Sequence, residues 1–297
     1  MGGSNDAGLF GVRANYSSIF MPQQPVANQP TNLGFVRQDF SVSAPTWRND
    51  TDSVVLSAHV RSTLYATEAI LPDSGREFPN SLWNVGFGFS YMHTFDGWSA
   101  GGMLNIGSVS DRPFNSLREV NIGVGSFVRI PTSERSGWMI GAMYSATGEL
   151  PFPIPMLAYS WQPNEEFGMN IGLPFSVRWR PVEDWLFDFS YVPIRSVHAR
   201  ATFRIADGLG IYGGFDWTND SYLLADRLNN KDRLFYYKKS VSIGVRYDIG
   251  PSSAIDLSGG YAFDRFYFDG RQWSDNQHDR IDVANSLFLA LRFQLRF

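Results

Sequence analysis

The stretch Trp83–Gly107, WNVGFGFSYMHTFDGWSAGGMLNIG, decides the fold. Its first half places Trp83, Val85, Phe87, Phe89 and Tyr91 at every second position, with Asn84, Gly86, Gly88 and Ser90 between them. Side chains alternate across a strand with a period of two, so this is a strand with one apolar and one small, polar face. Asp96-Gly97 is a turn dipeptide. The alternation then resumes, with Trp98, Ala100, Leu104 and Ile106 against Ser99, Gly101, Asn105 and Gly107. The same pattern runs through Val120–Ile130, Trp185–Val192 and the last eleven residues. About fifteen such segments of roughly ten residues fill the chain, the length a tilted strand needs to cross a bilayer. No linker or change of composition divides them, so residues 9–297 read as one domain. Residues 1–8 read as a flexible segment ahead of it, and an export signal as absent or already removed.

Composition narrows the class. The 297 residues are 43% hydrophobic, 15% aromatic and only 18% charged, with no cysteine. Disorder needs few aromatics and much charge. Without cysteine there is neither a disulfide scaffold nor a thiolate metal site. A net charge of -4 gives no basic footprint for nucleic acid. No apolar run approaches the ~18–20 residues of a spanning helix.

Connections alternate between tight turns, such as Asp96-Gly97 and Asp207-Gly208, and long polar loops, such as 21–32, 68–80, 108–116, 219–233 and 269–280. Membrane barrels have short periplasmic turns and long outer loops. The alternation stays in register from both ends if residues 166–180 form two short strands broken at Leu173-Pro174, since proline cannot donate to a ladder. The expected fold is all-β, an antiparallel transmembrane β-barrel of even strand number, fourteen or sixteen. The polar face is rich in Gly, Ser, Asn and Ala, which suits a crowded interior. Trp83, Trp98, Trp138, Trp185 and Trp217 stand near strand ends on the apolar face, as lipid-interface girdles do. A soluble propeller would show a blade repeat, and none is found.

The terminal segment LFLALRFQLRF, with Phe293, Leu295 and Phe297 on one face, resembles the C-terminal signature of bacterial outer-membrane β-barrels. That resemblance implies an integral outer-membrane protein surrounded by outer-membrane lipid. It also implies recognition of Phe293, Leu295 and Phe297 by the barrel-assembly machinery.

Strand parity gives the lumen face. Its candidates for selectivity are Arg61, Arg178, Arg180, Asp188, His198, Arg200, Arg204, Arg292 and Arg296. Parity also places Glu119 and Asp264 there. The densest group is Arg178 and Arg180 with Arg200 and Arg204, and Asp188 lies on the strand between. Such a row forms a positive wall for anions, or pairs with carboxylates to stiffen the barrel. The expected function is an outer-membrane channel for passive diffusion of small polar solutes, weakly anion-selective. A closed anchoring barrel whose outer loops bind a partner, and a barrel enzyme acting on lipid or peptide, are the alternatives. His59, His93, His198 and His278 show neither metal-ligand spacing nor a phospholipase-like or protease-like motif, so no catalytic residue, metal or cofactor is expected. The oligomeric state stays open.

Overall fold

The computed structural model describes residues 11–146, 152–193 and 195–297, so the segment 1–8 lies outside the described residues. The strands are β1 (Arg13–Pro25), β2 (Asn32–Arg48), β3 (Asp52–Thr67), β4 (Ser81–Phe95), β5 (Trp98–Ser110) and β6 (Val120–Pro131). Next come β7 (Gly137–Ser145), β8 (Ile154–Trp161), β9 (Phe167–Gly172), β10 (Phe175–Trp179), β11 (Trp185–Val192) and β12 (Ser196–Ala206). The last are β13 (Leu209–Tyr222), β14 (Arg233–Ile249), β15 (Ser253–Gly270), β16 (Ile281–Val283) and β17 (Ser286–Arg296).

Consecutive strands pair antiparallel, and β17 returns to β1 from Arg13↔Arg296 to Phe20↔Leu289, which closes the sheet. β16 and β17 pair with successive parts of β15, so they are two pieces of one wall strand and the barrel has sixteen. Residues 166–180 form the short hairpin β9–β10, broken at Leu173-Pro174 as the loop alternation requires. The first segment stands in the wall as β1, which excludes fourteen strands.

The apolar parity faces outward. Phe87, Ile106 and Ile122 are cross-strand neighbours on three successive strands, and all three are exposed. In water such a surface would aggregate; against acyl chains it costs nothing. At the end where β1 begins and β17 ends, aromatics ring this face. Phe95 stacks on Trp98 at 4.0 Å, Trp138 lies 4.9 Å from Tyr159, and Trp185 lies 5.6 Å from Phe187. Trp83 and Trp217 belong to the opposite end, where Trp217 packs on Tyr237.

The wall is uneven. β2, β3, β14 and β15 run for 16 to 18 residues, whereas β8 to β11 run for 5 to 8. The tall side carries an inner core that alternation does not announce. At the end where β1 finishes and β17 begins, Phe35, Tyr65, Tyr236 and Tyr267 on the lumen parity pack with Leu71 and Phe78 from the β3–β4 loop. Tyr65, Phe78 and Tyr267 meet edge to face at 4.9 to 6.0 Å, and Tyr236 stacks on Tyr267 at 4.5 Å. Aromatic pairs of this geometry add to the gain from burial.

Two lumen assignments are corrected. β15 carries an extra residue opposite Lys238, and Asp264 takes φ 53° there. This bulge flips the parity beyond it, as an inserted residue must. Asp264 therefore pairs with the outward Lys239 at 2.7 Å, and Arg265 turns inward in its place. Glu119 precedes β6 and is buried in the β5–β6 loop, not on the lumen wall.

Candidate functional site

The lumen is divided by contacts that cross it. Four wall positions separate β2 from β13, yet Arg37 Nη1 donates to Asp220 Oδ2 at 3.1 Å. Arg61 Nε bonds Asp39 at 2.5 Å, and its Nη1 lies 3.8 Å from Asp220. Arg200 bonds Asp256 of β15 at 2.6 Å, and the Tyr212 hydroxyl donates to the same carboxylate. Arg200 also lies flat over the Tyr212 ring, 3.3 Å from its centroid. These residues alternate along their strands and converge only because the barrel closes.

Above this layer the outer loops shut the tall side. The β13–β14 loop crosses to β5: Leu223 N donates to Val109 O at 2.8 Å and Ala225 N to Asp111 Oδ1 at 2.8 Å. Arg227 Nη1 then meets Glu119 at 3.1 Å, and the side chains are 3% and 2% exposed. Arg76 of the β3–β4 loop joins Asp269, Asp226 and Asp279, tying three loops together. Burial pushes the Glu119 carboxyl up, but hydrogen bonds from Ser116 and Arg227 outweigh it and hold the group below its ordinary value of 4.5. A depressed carboxylate stabilises the fold above its ordinary value and ceases to as pH falls through its own. The Arg227–Glu119 clasp should hold at neutral pH and loosen below pH 4.5. Hydrogen exchange of residues 223–232, followed as pH falls from neutral to well below 4.5, should show the loss.

Among the described residues the packed core draws none from β6 to β12, and the compartment those strands bound lies beside it. A polar cavity of about 690 Å³ occupies its low side, lined among others by Asn170, Ser176, Arg178, Asp188, Ser190 and His198. Register brings these together. Arg178, Asp188 and Arg200 are successive cross-strand partners, and Ser176, Ser190, His198 and Asp216 form the adjacent row. Arg178 Nε stands 3.9 Å from Asp188, too far for a hydrogen bond, and the side chains are 66% and 36% exposed. His198 Nδ1 lies 2.6 Å from Asp216 Oδ1.

The expected row of four arginines is thus split. Arg178 and Arg180 stay in the open compartment. Arg200 is drawn away to Asp256, and Arg204 turns to Asp184 and Glu183 at the β10–β11 turn, at 3.3 and 3.5 Å. Arg61 is locked in the crossing network. Arg292 and Arg296 lie on the lumen parity of β17 toward the short-turn end, exposed. Phe293, Leu295 and Phe297 fall at that same end, where β17 meets β1 and β15. Asp220 and Arg265 escape the sequence reading. Asp220 falls within what reads as a polar loop, and Arg265 is masked by the bulge. The inner aromatics give no signal, because a lumen tyrosine and a lipid-facing one differ only in parity. Among the described residues no cluster of His, Asp or Glu could hold a metal ion.

Several solved structures are similar. The COG4313 outer membrane channel from Pseudomonas putida F1 matches with a TM-score of 0.41 and 7% identity, covering 100% of both chains. OccK7 (OpdD) of Pseudomonas aeruginosa matches with a TM-score of 0.39 and 9% identity over 97% of this chain and 98% of its own. The outer membrane protein Omp33 of Acinetobacter baumannii matches with a TM-score of 0.38 and 7% identity over 98% of this chain and 100% of its own. No curated protein matches. One family model, described as "Domain of unknown function (DUF6268)", spans residues 48–296, and the chain, most of which it covers, belongs to that family.

Proposed function

We propose that this barrel is an outer-membrane channel whose solutes pass through the compartment walled by β6 to β12. The observation that carries this is the asymmetry of the lumen. One half is packed with aromatics and ion pairs, while the other holds a polar cavity with a water-exposed guanidinium at its centre. A sixteen-strand wall is wide enough to leave such a passage after half of it is filled. The apolar outer face and its aromatic ring suit an outer membrane. On the same reading Phe293, Leu295 and Phe297 serve as the signal for the barrel-assembly machinery.

Arg178 reaches further into water than Asp188, and Arg180 stands exposed beside it, which favours a weak anion preference among small polar solutes. In a planar bilayer under a potassium chloride gradient, the reversal potential should lean toward that of chloride. Arg178→Gln with Arg180→Gln should move it to the potassium side. A cation-leaning wild type would remove the anion preference. Silence from folded protein would remove the channel.

One observation favours a second reading, a serine hydrolase. Ser190, His198 and Asp216 follow one another across β11, β12 and β13, with His198 already oriented by Asp216. No hydrogen bond joins Ser190 to His198 among the described residues, which places this reading second. A fluorophosphonate probe decides: labelling abolished by Ser190→Ala supports the hydrolase, and no labelling dismisses it.

A further inference from the structure

The open compartment has two unlike walls, and the second is apolar at mid-height, with Arg129 on the same face beside Met139 toward the short-turn end. Cross-strand partners share a face, so register can be followed round from Arg61, which points inward to Asp220. Arg61 pairs with Asn84, and Asn84 with Val109, which fixes the inward parity of β5 and with it Met103. Met103 pairs with Gly125 and Gly125 with Met143, while Phe127 pairs with Gly141 and Gly141 with Met156. Met139, two residues from Gly141, shares that face. Four of the chain's eight methionines and one phenylalanine therefore pave the inner side of β5 to β8.

Glycine makes room for two of them, Met103 and Phe127. A Cβ on Gly125 would stand 3.0 Å from Met103 Cγ, and one on Gly101 would stand 2.7 Å from Phe127 Cζ. This pavement belongs to none of the packed core on the tall side. Met143 is 43% exposed, and Met139 and Met156 are half-buried. Continuing round, Ser160, Asn170, Ser176 and Ser190 carry the same inward parity to the wall of Arg178.

We propose that the channel selects amphipathic anions, with the anionic head at Arg178 and Arg180 and an apolar body along the methionine pavement. The proposal rests on the channel reading. Solvent-exposed methionine facing a wall of Ser, Asn, Asp, His and Arg has no role in passing chloride or sugars. Its unbranched, polarisable side chain adapts to apolar ligands of varied shape. Arg178 and Arg180 supply the charge on the facing wall, and Arg129 beside Met139 adds a cation at the pavement's short-turn edge.

The test uses folded, full-length protein in a planar bilayer in potassium chloride, with sodium hexanoate or sodium gluconate added to one side. Both are monocarboxylates, and only hexanoate has an apolar body. Hexanoate should block the chloride current at about tenfold lower concentration, the ratio given by covering roughly 55 Å² of apolar surface at about 25 cal/mol per Å². Replacing Met103, Met139, Met143 and Met156 together by threonine should abolish that ratio and leave the chloride conductance within about twofold. Met143→Gln alone, at the most exposed of the four, gives a partial loss should the fourfold variant fail to fold. Equal block by both anions, or hexanoate block that survives both methionine variants, would overturn the proposal while the channel stands. Absence of current in either anion overturns the channel reading instead.

Discussion

Glu119→Ala should release the β13–β14 loop from the mouth of the barrel while leaving the wall intact. Glu119 and Arg227 are both almost fully buried, and Arg227 keeps only the carbonyl oxygens of Leu224, Arg118 and Asn230 once the carboxylate is gone. A buried guanidinium stripped of its counter-charge costs about 3–5 kcal/mol. The loop relieves that cost by opening beyond its buried Leu223 and Leu224, because there its remaining ties across the mouth are the Ala225–Asp111 hydrogen bond and the partly exposed Arg76–Asp226 pair. The β-ladder does not depend on the clasp, so the opening is local. Hydrogen exchange over residues 223–232 should lose most of its protection, and a protease should cut there first. The gel shift between folded and boiled protein should not change. The double variant Glu119→Ala with Arg227→Met should recover much of the protection, since it removes the stranded charge as well. Protection unchanged in Glu119→Ala would show that the pair is not what holds the loop.

The wall was legible because lipid and lumen impose opposite demands on alternate residues. Trp83 to Tyr91 and Leu287 to Phe297 show those demands residue by residue. Even the weakest point, the hairpin at Leu173-Pro174, followed from proline's missing donor together with the alternation of loops. What parity could not show is where it breaks. The bulge at Asp264 exchanged Asp264 for Arg265 on the inner face, and nothing in the local sequence marks it. Strand ends were misjudged for a related reason. Above the bilayer the wall need not be apolar, so β13 runs on through Asn219, Asp220 and Ser221, which read as loop.

The candidate site was legible in its members more than in its partners. Arg178, Asp188, Arg200 and His198 fall in register across β10, β11 and β12, as strand parity expects of residues on one face. Which of them stays free to meet a solute depends on strands distant in sequence. Asp256, fifty-six residues from Arg200, takes that arginine out of the open compartment. The filling of the tall side was hidden in the same way. Phe35, Tyr65, Tyr236 and Tyr267 look like girdle residues until the loops of residues 68–80 and 271–280 fold over them.

Asp220→Ala should be the more damaging of the two replacements. Asp220 is the carboxylate that Arg37 and Arg61 share across the lumen, at 3.1 and 3.8 Å. Arg61 retains Asp39, but Arg37 retains only the Thr63 hydroxyl and the faces of Phe35 and Tyr236. Lys238 and Arg265 are buried on neighbouring strands, so the deletion leaves buried Arg37 among several cations with little water to screen it. The expected loss is about 3–5 kcal/mol, and it falls on the wall itself because Arg37 and Asp220 join strands that four others separate. The midpoint of urea unfolding should drop accordingly. Arg37→Met combined with Asp220→Ala should restore most of it, since an apolar side chain of similar length suits the aromatic surroundings. Conductance separates this role from that of a pore residue. The molecules that remain folded should pass potassium chloride within about twofold of the wild type, because the passage runs along β6 to β12. A stable Asp220→Ala protein would mean that the crossing pair does not hold the two sides together. A destabilised one with normal conductance would mean that the filled half of the lumen braces the barrel and the open half alone conducts.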